Sequence, residues 1–390
     1  MTGRQLLAVT MAFAFLLPAC TSLPAPARAG PPALRPTPSV KNRSTVAQGL
    51  AGMPPLLDRH NIYAADAPGR LAPQVAHDPP LVYVPNSKSG TVDVIDQRTY
   101  RVVGHVPVGA LPQHVVPSYD LRTLWVNNND GYSLTPIDPR TGKPGRAVPV
   151  PDPYNLYFSP DGKFAIIMAE ALKEIVFADA HTMRPEHVLH VPGCGGVNHA
   201  DFSGDGRYFI ATCEFAGRLI KVDLANQALV GTIALQRGAM PQDIKIAPDG
   251  AVWYVADMAA GGVWLVNGDT FRTVGFLRTG KGAHGLYPRR DARVLYVTNR
   301  GEGSISLVSF ATRKTIGTWH LPGGGSPDMG GLNAAGTVLW VSGRYNGVVY
   351  AIDTADGHLI RKIAVGNGPH GLCVYPQPGR YSLGHTGILR

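Results

Sequence analysis

Seven short segments of this 390-residue chain carry a polar side chain at one recurring place. They are Pro112-Gln113-His114, Pro153-Tyr154-Asn155, Val197-Asn198-His199, Pro241-Gln242-Asp243, Gly282-Ala283-His284, Ser326-Pro327-Asp328 and Gly368-Pro369-His370. Four of the 13 histidines fall there, with two aspartates and an asparagine in the other three places. Imidazole nitrogens and carboxylate oxygens suit a divalent metal, a cofactor's axial position, or general acid/base work. All seven residues are therefore candidate ligand contacts, and His114, His199, His284 and His370 are the candidate metal ligands. Paired His and Asp would also hold each other and raise the His pKa. The competing reading is structural: each side chain caps its own loop, and water fills the space between them.

A second polar series recurs further along each segment: Asn86, Asn128, Glu170, Glu214, Asp257, Asn299 and Gly343-Arg344. Lys173, Arg218 and Arg300 lie close to it in sequence. Asn at this place reads as structural. Glu214 and Arg300 depart from the pattern and are the better candidates for ligand contact, with Glu170, Asp257, Asn299 and Arg344 alongside. Cys194 lies five residues before His199, and Cys213 ends the strand that follows. In an oxidising compartment the pair reads as a disulfide. Left free, it could join His199 and Glu214 on a soft metal such as copper or zinc. Cys373 reads as buried and inert. His105, His190 and His320 share another phase and read as rim or solvated edge residues.

The elements that must position these residues are repeats. LVYVPNSKSGTVDVID, TLWVNNNDGYSLTPID, VWYVADMAAGGVWLVN and VLYVTNRGEGSISLVS are four of seven such segments. Each is a short apolar strand, a polar turn and a second alternating strand. The marker positions Tyr83, Trp125, Ile167, Ala211, Tyr254, Tyr296 and Trp340 are spaced by 42, 42, 44, 43, 42 and 44 residues. A third strand and a fourth, ending in a Pro-Asp-Gly-type turn, complete each period. Four strands per period of this length predict an all-β, seven-bladed propeller of four-stranded antiparallel blades. The first repeat, from Tyr83 to Val108, lacks its innermost strand, and Gly371-Leu372-Cys373-Val374-Tyr375 is left over at the other end. One C-terminal strand plus three N-terminal strands would close the ring and leave no open sheet edge. Lead-in loops to the inner strands would then surround the axis, with the second polar series outside them on the same face.

Leu295-Tyr296-Val297-Thr298-Asn299 and Leu81-Val82-Tyr83-Val84-Pro85-Asn86-Ser87 resemble the repeats of YVTN-type propellers of the YncE kind, over roughly residues 80–378. The resemblance implies the fold and an exported bacterial protein; it does not imply a reaction. Ile167 and Ala211 replace the aromatic marker, and Glu170 and Glu214 replace the Asn. Haem-binding nitrite-reductase propellers are a more distant likeness by analogy. Propeller lactonases use a Glu/Asn/Asp set at the axis, which Glu214, Asn155 and Asp243 could imitate.

The first residues predict export. Arg4 precedes an apolar run of 12 residues, Leu6 to Leu17, too short to span a bilayer. Leu17-Pro18-Ala19-Cys20 resembles a lipobox, which would make Cys20 the lipidated mature terminus. Cleavage after Ala27-Arg28-Ala29 would instead release a secreted or periplasmic soluble protein. The expected organisation is a signal peptide at 1–19, a Pro/Ala-rich tether at 20–58, a leader segment at 59–79 whose Ile62 and Tyr63 dock on the folded domain, the propeller at 80–378 and a tail at 379–390. The net charge of +9 is spread without a run of four basic residues, and no nucleic-acid motif is present. GxSxG, phosphate-loop, HExxH and CxxCH signatures are also missing from the sequence.

These features predict an extracytoplasmic, lipid-anchored and monomeric propeller binding a small molecule or an envelope protein at its funnel face. The alternative is a metal- or cofactor-dependent enzyme or redox protein using the His/Asp ring. No motif specifies the cofactor, a divalent metal and a haem-like group being the candidates. A third reading is a scaffold that only displays its surface.

Overall fold

A computed structural model describes residues 49–385 and 387–390. The signal peptide, Cys20 and most of the tether lie outside the described residues. Seven antiparallel sheets are present, six of four strands and one of five. In blade 1 the strands are Pro112–Pro117, Leu124–Asn128 and Ser133–Asp138, with the outer edge broken into Lys143–Pro144 and Val148–Pro149. Blades 2 to 6 begin at the inner strands Pro153–Phe158, Val197–Phe202, Pro241–Ile246, Ala283–Pro288 and Pro327–Leu332. Blade 7 joins Cys373–Tyr375 to Leu81–Asn86, Thr91–Asp96 and Arg101–Pro107 in that order. The expected closure by one late and three early strands is therefore present.

Period-two alternation explains why each blade needs two neighbours. In Val252–Asp257, Trp253 and Val255 pack on blade 3, while Tyr254 and Ala256 pack on blade 5. Seven apolar clusters result, one at each interface between adjacent blades. A strand buried on both faces is stable only with a sheet on either side, so the ring closes. Three short 3-10 turns are the helical elements among the described residues. No helix there is long and apolar enough to cross a membrane.

Inner strands start on one face of the ring, the lead-in face, and end on the exit face. Both flanking segments cover the exit face. Ile62 and Tyr63 are buried between blades 3 and 4, and Tyr63 Oη donates to the Ile246 carbonyl at 2.6 Å. Arg290 pairs with Asp66 and donates to the Leu332 carbonyl at 2.9 Å, pinning the leader to blades 5 and 6. The last residues assigned to the tether also lie along this face rather than standing off it: Leu50 N donates to the Asp205 carbonyl at 2.9 Å. From the other end, Tyr381, Leu383 and Ile388 enter the cluster between blades 2 and 3.

Candidate functional site

Each ring residue is the second or third residue of an inner strand, or, for His370, just precedes one. Their side chains point at the axis because the strand pleat sends alternate residues there. His114, Asn155, His199, Asp243, His284, Asp328 and His370 are all at most 2 % exposed. An open, water-filled funnel at this level is thereby corrected: seven polar side chains fill the narrow axis and contact one another. Asn155 and Asp243 accept the next residue's backbone N–H, as the structural reading expects, while His114, His199, His370 and Asp328 bond groups of other blades.

Two carboxylates organise the ring. Asp328 lies 3.0 Å from His284 Nδ1, 2.7 Å from His370 Nδ1 and 3.1 Å from Arg300 Nη1. Burial pushes its carboxyl up, but the surrounding His284, Arg300 and Arg344 outweigh burial and hold it below the usual range. Burial drives His284 and His370 well below their ordinary pKa. The consistent state is an ionised Asp328 accepting from the neutral His370 imidazole and the Arg300 guanidinium, with the neutral His284 ring beside it and His284 Nδ1 3.1 Å from Met329 Sδ. The Tyr154 hydroxyl then donates to His370 Nε2 across 3.4 Å. Asp243 accepts from the buried Lys245 ammonium at 2.9 Å, and from the backbone N–H groups of Ile244 and Leu286, each at 2.9 Å.

The other half of the ring has a different character. His114 donates its Nδ1–H to the Tyr154 carbonyl at 2.9 Å. Asn155 places its side-chain amide 3.3 Å from His199 Nδ1 and 3.0 Å from His385 Nδ1. His385 comes from the tail, which rises into the channel from the exit face and donates its N–H to the Leu156 carbonyl at 2.9 Å. Burial lowers His114 and His199 to about 3 and His385 to about 4, so all three are neutral at ordinary pH.

The structure brings all four expected metal ligands to the axis, with His114 5.6 Å from His199 and 4.9 Å from His370 between ring centres, but His370 Nδ1 is engaged by Asp328 and His284 Nδ1 by Met329 Sδ. His385 was missed because the tail lies outside the repeat, so periodicity carries no signal for it. Its backbone is left-handed, with φ 47°, a conformation that non-glycine residues adopt at a cost.

The second polar series divides in two. Asn86, Asn128 and Asn299 donate to hydroxyls or a carboxylate in their own blades: Thr91 and Asp93, Ser133 and Thr135, Ser304 and Ser306. Asp257 accepts from three backbone N–H groups and from Trp264. These four hold turns. Glu170 and Glu214 instead face each other across Asn198, whose Nδ2 lies 3.2 Å from Glu170 Oε1 and 2.7 Å from Glu214 Oε2. Burial, then the Glu214 charge, pushes Glu170 up to about 8. Arg300 and Arg344 stand over Asp328 on the lead-in face, and Arg300 packs 5.5 Å from the centre of the Tyr345 ring. Cys194 and Cys213 form a disulfide tying the blade 3 lead-in loop to its second strand, so their thiols are not metal ligands. Cys373 is free and buried. His105 and His190 pair with Asp93 and Glu174 at the exposed edge.

No curated protein sequence matches the chain. Among solved structures, a chain of Kuenenia stuttgartiensis Hydrazine Synthase superposes with a TM-score of 0.63 at 17 % identity, over 75 % of this chain and 96 % of that one. Dihydro-heme d1 dehydrogenase NirN in complex with DHE gives 0.58 at 16 %, over 78 % and 76 %. A putative 6-phosphogluconolactonase from Bacteroides uniformis ATCC 8492 gives 0.59 at 17 %, over 76 % and 99 %. At these identities the likeness is one of fold. Residues 39–379 match the YNCE-like beta-propeller family, and the chain belongs to that family.

Proposed function

We propose that this propeller is an exported binding protein that takes a protein partner on its lead-in face. The observation that carries the reading is a set of apolar side chains in equivalent turns between the second and third strands. Tyr132, Leu172, Phe215 and Tyr345 are 62 %, 49 %, 66 % and 71 % exposed there. They surround a polar centre made by Glu170, Glu214, Arg300 and Arg344. Aromatic and arginine side chains together are what protein interfaces concentrate at their energetic centres. Burial of the ring below disfavours a small molecule enclosed in the channel. Lys88, Lys173, Arg218 and Lys281 are exposed on the same face and favour a partner with acidic groups at its edge. The exported address rests on the signal-like first residues, with lipidation at Cys20.

A photo-crosslinking amino acid at Phe215 or Tyr345 in cells should give one discrete protein adduct. The same probe at Val230 or Ile316, exposed on outer strands, should not. Equal labelling from both sets, or none from the lead-in face, would refute the partner reading. Cys20→Ser should abolish fatty-acid labelling and release the protein from membranes; unchanged fractionation would refute the anchor.

A further inference from the structure

We propose that His114, His199 and His385 form a buried tri-histidine centre for one transition-metal ion of the zinc or copper class. One ring nitrogen from each lies within 4.8 Å of the others. The rings are mutually close, with centroids 5.6 Å apart for His114 and His199, 5.3 Å for His114 and His385, and 4.9 Å for His199 and His385. The Nε2 atoms of all three are buried without a hydrogen-bond partner. An unpartnered buried polar atom costs about 1–3 kcal/mol, and native proteins rarely leave three together. A metal ion satisfies all three at once, because each neutral imidazole offers it a lone pair.

The surroundings are those of a ligand set. Metal-bound imidazoles are oriented by what their second nitrogen touches. His114 Nδ1–H is fixed on the Tyr154 carbonyl. The Asn155 amide faces the Nδ1 atoms of both other rings. Asn155 Oδ1 accepts from Leu156 N–H at 2.9 Å. Turning the amide over, at the loss of that bond, would let the oxygen accept both Nδ1–H groups and free both Nε2 lone pairs for the ion. Asp243 Oδ1 lies 3.5 Å from His385 Nε2, a carboxylate beside the three rings and close enough to offset cationic charge. Three neutral nitrogens without thiolate or carboxylate suit zinc or copper and disfavour calcium and magnesium. Three protein ligands leave a fourth position, which is how zinc sites able to bind water or an anion are built.

His385 reaches the site from outside the blades, on a left-handed residue following Gly384. A Cβ at Gly384 would come within 2.5 Å of the Leu156 carbonyl oxygen and of Tyr157 Cα. The tail thus approaches the inner strand as closely as backbone allows. The centre is enclosed, so the ion must enter before or during docking of the tail. This inference is independent of the partner face.

The test uses the full chain, unfolded with EDTA and refolded with excess Zn(II) or Cu(II), then desalted. Elemental analysis should find one ion per folded chain and a higher melting temperature than for the stripped protein. His385→Ala should lose the ion while keeping its β-sheet circular dichroism, because the residue lies outside all seven sheets. His199→Ala should lose it as well. His284→Ala should retain it, as should His358→Ala, which removes the exposed Asp353, Asp356 and His358 grouping as a surface background. With Cu(II), the electron paramagnetic resonance spectrum should show hyperfine coupling to several imidazole nitrogens. Retention of zinc alone or of copper alone supports the same donor set and names the metal. Folded wild type that keeps neither ion, or folded His385→Ala that keeps a full equivalent, overturns the proposal.

Discussion

The His114 imidazole lies directly against Gly371, so a Cβ on Gly371 would overlap its ring. The two residues also share a parallel bridge, with Val115 N donating to the Gly371 carbonyl at 2.9 Å. Gly371 is thus what lets blade 7 close against blade 1 while an imidazole occupies the axis. Gly371→Ala must push the imidazole away from Tyr154 or open the seam. Overpacking of this kind costs about 1–3 kcal/mol. Chemical denaturation should show that loss. The nuclear magnetic resonance signals of His114 should shift most among the ring histidines. A variant as stable as wild type with an unmoved His114 would show that the seam has slack.

Fold and ring were legible because both obey one period. The markers from Tyr83 to Trp340 set the blades, and the lead-in phase gathered His114 through His370 at one axis. Two facts were not legible. Periodicity places residues on an axis but does not say how wide the axis is, so the sequence reading puts a funnel where the structure packs seven polar groups together. His385 belongs to no repeat, and only the docked tail shows where it goes. In the second polar series, Asn86 reads as structural, and Thr91 and Asp93 in its own blade satisfy it; Asp257, grouped with the ligand candidates, is held by backbone N–H groups and Trp264. The glutamates find Asn198 instead.

Asp328 is the residue on which the blade 5 to blade 7 arc of the ring depends. It bonds the His370 imidazole and the Arg300 guanidinium and lies 3.0 Å from His284 Nδ1. Asp328→Ala would leave the largely buried Arg300 without its carboxylate and strand the Nδ1–H of His370. Removing one member of a buried charge pair costs about 3–5 kcal/mol. Urea denaturation should show a loss of that order. Arg300→Met in the same background should recover part of it, since the unpaired charge is then gone. Equal stability of Asp328→Ala and wild type would mean that water replaces the carboxylate without cost, and the ring would not be a closed polar core.

Glu170 should make stability fall as pH rises. Burial, and then the nearby Glu214, hold its folded-state pKa at about 8 against an ordinary 4.5. Between those values the unfolded chain has released the proton and the folded chain has kept it. The unfolded state therefore binds fewer protons across this window, so stability declines from the lower value to the upper and levels off above it. Glu214 is raised by burial as well and adds in the same sense. Glu170→Gln keeps an oxygen for the Asn198 amide and removes the titration. Its advantage over wild type should be small near pH 5 and grow towards pH 9. The growth is about 1.4 kcal/mol for each pH unit crossed between the two pKa values. Denaturant midpoints at several pH values would measure it. Parallel profiles for the two proteins would mean that Glu170 ionises normally, and that water reaches the Glu170–Asn198–Glu214 contact.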